Sequence, residues 1–92
     1  PYRPMALVRA EAANPDAAND YLAQLRTRLG APLEVLGPAP APVVRVANRF
    51  RFQLLVLADD RTKLRRGLRV LRAAEPAAGV RWSLDIDPYD TF

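Results

Sequence analysis

The chain of 92 residues contains no cysteine and no histidine. Without cysteine, the chain has neither a disulfide framework nor a thiolate metal site. Without histidine, it lacks the commonest general base of enzymes and the commonest metal ligand of proteins. The hydroxyl side chains that remain lie in no catalytic motif such as G-x-S-x-G. We therefore predict no catalytic, cofactor or metal site in this chain.

Long apolar runs are also missing. No run approaches the ~20 residues that a transmembrane helix needs, so we expect no membrane partner and a cytoplasmic location. The chain begins with Pro1 and no signal-peptide pattern follows, which favours a segment of a longer protein. Because 50% of the residues are hydrophobic, we expect residues 1–92 to form one domain with a single core.

Arginine is abundant, and it is unevenly distributed. Residues 43–72 contain nine basic and two acidic side chains, whereas the rest of the chain contains five basic and eight acidic ones. Such a concentration indicates an anionic partner, although a solvated basic surface without a partner is the alternative. We predict that five arginines contact DNA or a neighbouring domain: Arg45, Arg49, Arg51, Arg66 and Arg69.

The segment 48–57, N-R-F-R-F-Q-L-L-V-L, predicts a central strand. Its arginines alternate with Phe50 and Phe52, which is typical of a strand with one buried face, and its last residues are apolar on both faces. Exposed strand aromatics would stack bases, as in RNA-recognition modules. Here the same side of the strand continues into Leu54 and Val56, so we predict that both rings belong to the core.

The remaining segments complete the order β-α-β-β-α-β. Strands are predicted at residues 5–10, 33–36 and 80–87 from apolar runs and strict alternation. Helices are predicted from Pro15 to the stop at Gly30, and over residues 61–74, with Asn14 and Asp60 as their N-caps. This order predicts an α+β, ferredoxin-like βαββαβ fold, in which a four-stranded antiparallel sheet carries two helices on one face.

Two smaller patterns leave alternatives open. The run G-P-A-P-A-P at residues 37–42 predicts a stiff connector, or a docking strip for another domain. Asp85 and Asp87 share one face of the last strand and could bind a metal or act in acid–base chemistry. The simpler interpretation is a row of carboxylates that neutralises arginines across the sheet.

The second predicted helix begins with two arginines one turn apart, Arg61 and Arg65. The helix dipole disfavours cations at this end, so an anionic partner would relieve a local cost. Guanidinium groups bind carboxylates through forked hydrogen bonds. We therefore predict that this pair could hold an acidic peptide or its terminal carboxylate.

Three motifs carry a resemblance to a known family: V-L-G-P-A-P-A-P at residues 35–42, the segment 48–57, and V-R-W-S-L-D-I-D-P at residues 80–88. In this order and spacing they resemble the C-terminal domain of primosomal protein N′, the PriA family of bacterial replication-restart DNA helicases. The resemblance implies that residues 1–92 are the C-terminal domain of a larger ATP-dependent helicase. It also implies that ATP, Mg and Zn bind in other domains of that protein.

The same resemblance implies three partners: branched or single-stranded DNA, the rest of the helicase chain, and the acidic tail of single-stranded DNA-binding protein. Arg61 matches the arginine of the family's S-R pair and Arg65 matches a polar position one turn later, so the resemblance assigns the tail site to both. Asp60 replaces the usual serine, and Arg65 replaces a frequent glutamine. The extra carboxylate would weaken capture of an acidic tail, and the extra arginine would offset it.

Two other functions are compatible with the sequence. A free-standing RNA-binding or ribosomal-type module would be favoured by exposed Phe50 and Phe52 rings. A regulatory ferredoxin-like domain that binds a small molecule would be favoured by a closed apolar pocket between the helices and the sheet.

Overall fold

Two helices and four strands follow one another along residues 3–86, the part of the chain that the computed structural model describes. In chain order the elements are β1 (Met5–Ala12), α1 (Pro15–Arg28), β2 (Glu34–Val46), β3 (Arg49–Leu57), α2 (Arg61–Ala73) and β4 (Val80–Ile86). Within this range the sheet has the strand order β2-β3-β1-β4 and every pairing is antiparallel. The predicted α+β class, with two helices and an antiparallel sheet, is confirmed, and the arrangement is compatible with a ferredoxin-like fold.

Both helices pack on the same face of the sheet. Alternate side chains of β1 are buried, as are Leu54 and Val56 of β3, because every second residue of a strand points to the same side. One cluster joins these side chains to the apolar stripes of both helices, whose members are Ala18, Tyr21, Leu22 and Leu25 in α1 and Leu64, Leu68 and Leu71 in α2. Each fully buried leucine contributes roughly 1.5–3 kcal/mol, so this cluster is the main stabilising feature of the fold.

Both helices begin at the predicted caps. The Asn14 side chain accepts a hydrogen bond from the backbone N–H of Asp16 at 2.8 Å, and Asp60 accepts one from the N–H of Lys63 at 2.8 Å. Such caps satisfy backbone donors that have no partner inside the helix, and each contributes about 1 kcal/mol. Asp60 also fixes where α2 starts, and therefore which sides of the helix its arginines occupy.

Tyr21 places a hydroxyl group inside the core. The residue is buried, and no group in residues 3–86 forms a hydrogen bond with its hydroxyl oxygen. Burial raises the pKa of the Tyr21 hydroxyl above its usual value, while the positive charge of Arg28 lowers that pKa by a smaller amount. The neutral phenol is therefore the form that the folded chain favours.

The proline-rich run belongs to β2, so the prediction of a connector separate from the strand was wrong. The run pairs with β3 at Ala39↔Gln53 and Pro40↔Phe52, and the register shifts on either side of this pairing. An edge strand accommodates prolines because only one of its sides takes part in the ladder, and proline needs no donor on the other. At Gly37, φ is +105° and an added Cβ would lie 2.9 Å from the Gln53 carbonyl oxygen, so glycine is required there.

A two-residue turn joins β2 to β3. Ala47 and Asn48 both have positive φ, 51° and 61°, as the type I′ turn of a tight hairpin requires. β3 therefore starts at Arg49, one residue later than predicted. The turn sets the register that places Arg45 opposite Phe50.

Candidate nucleic-acid and peptide interfaces

The face of the sheet opposite the helices, called the outer face below, has an apolar half and a charged half. Cross-strand neighbours place the apolar side chains together at one end of the sheet, and Leu36 is 50% exposed there. These apolar residues are Met5, Leu7, Leu36, Leu55 and Leu57. The other half contains four arginines and two carboxylates, with Asp85 opposite Leu7 at the boundary between the halves: Arg9, Arg49, Arg51, Arg81, Glu11 and Asp85.

Ion pairs neutralise part of the charged half. Arg49 Nε and Arg81 Nη1 each lie 3.2 Å from Glu11 Oε1, and Arg9 Nη1 lies 2.6 Å from Asp85 Oδ2. Arg49 Nη2 also donates to the Glu11 carbonyl oxygen at 3.2 Å. Arg49 therefore forms both an ion pair and a hydrogen bond with Glu11 of the neighbouring strand.

Arg51 differs from its neighbours. It stands directly opposite Glu11 in the ladder, but Glu11 is already shared by Arg49 and Arg81. No ion pair or hydrogen bond joins the Arg51 guanidinium to another side chain of residues 3–86. Four guanidinium groups face two carboxylates on this half, so the half carries an excess of positive charge that Arg51 presents.

Arg45 and the two phenylalanines lie on the helix side of the sheet. Arg45 donates to Asn48 Oδ1 at 2.9 Å, and its guanidinium carbon lies 5.3 Å from the centre of the Phe50 ring. Phe52 is half-buried and packs against the core cluster. Neither ring therefore forms part of the outer face. The prediction that Phe52 belongs to the core is confirmed, whereas the same prediction for Phe50 was wrong, because that ring lies outside the core cluster and under the Arg45 guanidinium.

The basic side chains of α2 separate onto two flanks. Residues three or four apart share one side of a helix, so Arg61, Arg65, Arg69 and Arg72 form one flank, called the arginine flank below. Lys63 and Arg66 lie on the opposite flank together with Val70. The buried leucines separate the two flanks on the core side. The predicted pair Arg61 and Arg65 is therefore brought together. Arg66 and Arg69 are also neighbours, three residues apart, but only Arg66 lines the side of the helix that carries Lys63 and Val70.

Ion pairing, more than exposure, distinguishes the exposed arginines of α2 from those of the outer face. Arg65, Arg66, Arg69 and Arg72 are exposed, and none of them forms an ion pair with a residue in the range 3–86. Arg61, the first residue of the helix, is half-buried. Lys63 lies 3.7 Å from Asp59 and 3.8 Å from Asp60, so the carboxylates before the helix neutralise a lysine of the opposite flank.

Comparison with known proteins identifies the family. A model of the family described as "Primosomal protein N C-terminal domain" matches residues 1–89. The chain belongs to this family. Replication restart protein PriA of Haemophilus influenzae is 35% identical to it over 96 aligned positions, which cover 98% of the chain and 13% of that relative. The resemblance inferred from the motifs is confirmed.

Two further matches concern the family and the fold, respectively. Replication restart protein PriA of Synechocystis is 39% identical over 56 positions, covering 61% of the chain and 7% of that protein. The de novo designed protein Foldit4 superposes with a TM-score of 0.60, covering 90% of the chain and 96% of the design, at 12% identity. The second match concerns the fold alone. The chain spans about an eighth or less of the length of its natural relatives.

Sequence reasoning missed Glu11, the carboxylate that pairs with two arginines of the charged half. Glu11 was not singled out, although the alternation of Leu7, Arg9 and Glu11 with small apolar residues in β1 could have placed it on the outer face. Asp85 pairs with Arg9, in agreement with a neutralising carboxylate, while Asp87 lies outside the described residues. Within residues 3–86 there is no cluster of three potential metal ligands, and no helix long and apolar enough to cross a bilayer.

Proposed function

We propose that residues 1–92 form the C-terminal accessory domain, ferredoxin-like with βαββαβ order, of an ATP-dependent replication-restart helicase. In this proposal the domain does no chemistry itself. It binds the DNA backbone, captures an acidic protein tail and docks onto the rest of its chain. Family membership and the relatives' name, replication restart protein, support the setting. The observation that carries the proposal is the set of exposed arginines on α2 that have no carboxylate partner in residues 3–86.

DNA phosphates would bind to the arginine flank and to Arg51. Backbone phosphates attract guanidinium groups without regard to sequence, and each contact releases counterions from the nucleic acid. Arginines already held by Glu11 or Asp85 would have to break an internal ion pair first. The side chains of Arg65, Arg69 and Arg72 have no such cost to overcome.

Anisotropy of a labelled oligonucleotide, single-stranded or branched, tests DNA binding at several salt concentrations. We expect weak binding that falls steeply between low and physiological salt. Arg69→Ala should weaken the affinity about threefold, because one exposed phosphate contact is worth somewhat less than 1 kcal/mol. Arg3→Ala is the matched control, since Arg3 is paired with Glu34 at 2.6 Å and lies outside these surfaces. Binding that does not respond to salt would contradict the proposal.

The tail of single-stranded DNA-binding protein would bind at the start of the arginine flank. Arg61 and Arg65 lie one turn apart on the same side, where two guanidinium groups can reach one carboxylate-rich segment. Asp60 is occupied by the N–H of Lys63 and by the Lys63 ammonium group. Its charge therefore opposes an acidic tail less than an unengaged carboxylate would.

A labelled acidic tail peptide tests this site with the full-length protein. We expect Arg61→Ala and Arg65→Ala each to weaken binding roughly tenfold, the value of a charge-assisted hydrogen bond of about 1.5 kcal/mol. Equal affinities for the native protein and for both variants would remove the assignment of the tail site.

The apolar half of the outer face would dock onto the rest of the helicase chain. Leu36 is 50% exposed on the edge strand, and it stands opposite Leu55. Apolar clusters of this kind are typical of contacts between domains. Hydrogen exchange of β2 and β3 should be slower in the full-length protein than in residues 1–92 alone. Identical exchange in both would exclude docking through this face.

A further inference from the structure

A groove separates the end of α1 from the flank of α2 that carries Lys63 and Arg66. It has a volume of about 150 Å³. Leu29 and Leu33, from the end of α1 and the loop after it, form its apolar floor, and Val70 forms one wall. Val70 is 38% exposed, which is high for a large apolar residue. The groove is thus an apolar surface that the described residues leave open.

Gly67 makes this groove possible. A Cβ atom at position 67 would lie 2.6 Å from Leu33 Cδ1, closer than atoms can approach. The absent side chain allows Leu33 to pack directly against the backbone of α2. Glycine in the middle of a helix costs about 1 kcal/mol relative to alanine, so the close approach explains a residue that is unfavourable for the helix itself.

The rim of the groove is positively charged. Arg28, Lys63 and Arg66 line it, and no carboxylate is among its lining residues. Arg28 and Arg66 are exposed and have no ion pair within residues 3–86, whereas Lys63 is shared with Asp59 and Asp60. An occupant that complements both the rim and the floor is anionic and carries an apolar group.

We propose that this groove binds an acidic peptide segment that inserts one large apolar side chain between two or more carboxylates. A space of about 150 Å³ holds one benzene-sized group, which fits a phenylalanine or leucine side chain. Its carboxylates pair with Arg28 and Arg66. A nucleic-acid strand suits the groove less well, because base binding relies on aromatic platforms and none of the described lining residues is aromatic. The site lies on the opposite flank from Arg61 and Arg65 and does not depend on the proposed function.

The test uses the fluorescein-labelled peptide Asp-Asp-Phe-Asp-Asp and charge reversals on neighbouring positions of α2. Arg66→Glu should weaken peptide binding roughly tenfold, because it replaces attraction by repulsion at the rim. Arg69→Glu is the matched control: Arg69 lies three residues away and does not line the groove, and the variant has the same change of net charge, so it should weaken binding less than Arg66→Glu does. Circular dichroism of each variant verifies that α2 remains folded.

Two further comparisons test the chemistry of the occupant. Replacing the phenylalanine of the peptide by alanine should weaken binding at least about tenfold, because the groove then buries no large side chain. Arg65→Glu separates the groove from the tail site. If Arg65→Glu weakens binding and Arg66→Glu does not, the groove proposal is overturned while the tail site is supported.

Three other results would also overturn the proposal. One is equal loss in the Arg66→Glu and Arg69→Glu variants, which would mean that only net charge matters. Another is equal binding of the phenylalanine and alanine peptides. The third is displacement of the peptide by an unlabelled single-stranded oligonucleotide, together with a greater loss of oligonucleotide binding in Arg66→Glu than in Arg69→Glu. That result would make the groove a nucleic-acid site.

Discussion

The outer face and α2 each carry several arginines, but the fold gives the two groups different surroundings. On the outer face, Glu11 binds Arg49 and Arg81, and Asp85 binds Arg9. On α2, the exposed arginines have no carboxylate within residues 3–86 to pair with. The comparison teaches that a count of basic residues does not measure a binding surface. An arginine is available to an external anion only where the fold has not supplied an internal one.

The largest expected effect comes from removing the available arginines of one flank. A triple variant with Arg65, Arg69 and Arg72 changed to alanine should bind DNA at least about tenfold more weakly at low salt. Its plot of log affinity against log salt should lose a slope of about 2, the value for three contacts with a single strand. Oligonucleotide anisotropy over a salt series measures both. A triple variant that binds like the native chain would place the DNA surface elsewhere.

Releasing the arginines held by the sheet should have the second largest effect. Glu11→Gln removes the carboxylate shared by Arg49 and Arg81, and the Glu11 side chain is only 26% exposed. We expect the free energy of unfolding to fall by roughly 1 kcal/mol and DNA binding to tighten by about twofold to threefold, because two guanidinium groups become available. Urea denaturation and oligonucleotide anisotropy measure the two quantities.

Asp85→Asn provides the matched control for that variant. It releases Arg9 alone, from an ion pair that is more exposed to solvent. The loss of stability should therefore be smaller, at about 0.5 kcal/mol or less. If neither Glu11→Gln nor Asp85→Asn binds DNA more tightly than the native chain, then internal ion pairing does not limit DNA binding by the outer face.

The smallest effect is expected in the core, away from both groups of arginines. Tyr21→Phe removes a buried hydroxyl without a partner, so it should leave stability unchanged or raise it by about 1 kcal/mol. Because burial raises the pKa of Tyr21, its neutral form stabilises the fold below pH ~10, and this contribution is lost as the pH rises through the elevated pKa. The variant should lose less stability than the native chain above pH ~10.

DNA binding serves as the internal control for the Tyr21→Phe experiment. DNA affinity at neutral pH should be the same for the native chain and the Tyr21→Phe variant. Thermal unfolding between neutral and alkaline pH measures the stability difference. Parallel pH profiles for the two chains would contradict the assignment of the elevated pKa to Tyr21.

Local patterns predicted most of the elements. Asn14 and Asp60 marked the helix starts, and the alternation in β3 identified the side that holds Leu54 and Val56. These features depend on residues close together in the chain. The proline run was misassigned because its place in β2 depends on pairing with β3 across two register shifts, which no local pattern reveals.

The candidate sites depend more on the register and on packing between elements. Helical spacing alone places Arg61 and Arg65 on one flank and Arg66 on the other. The ion pairs of Glu11 depend on the alignment of three strands, so the sequence does not show that Arg49 is engaged and Arg51 is not. The groove depends on how Leu33 meets Gly67, two residues on different elements.

The most direct test compares two arginines of the same strand, Arg49 and Arg51. Each is changed to alanine, and the salt dependence of single-stranded DNA binding is measured for both variants and for the native chain. We predict that Arg51→Ala lowers the slope of log affinity against log salt by about 0.7, the value for one lost contact, and that Arg49→Ala leaves the slope unchanged. Equal changes in both slopes, or a change in Arg49→Ala alone, would contradict the claim that internal pairing decides which arginines bind DNA.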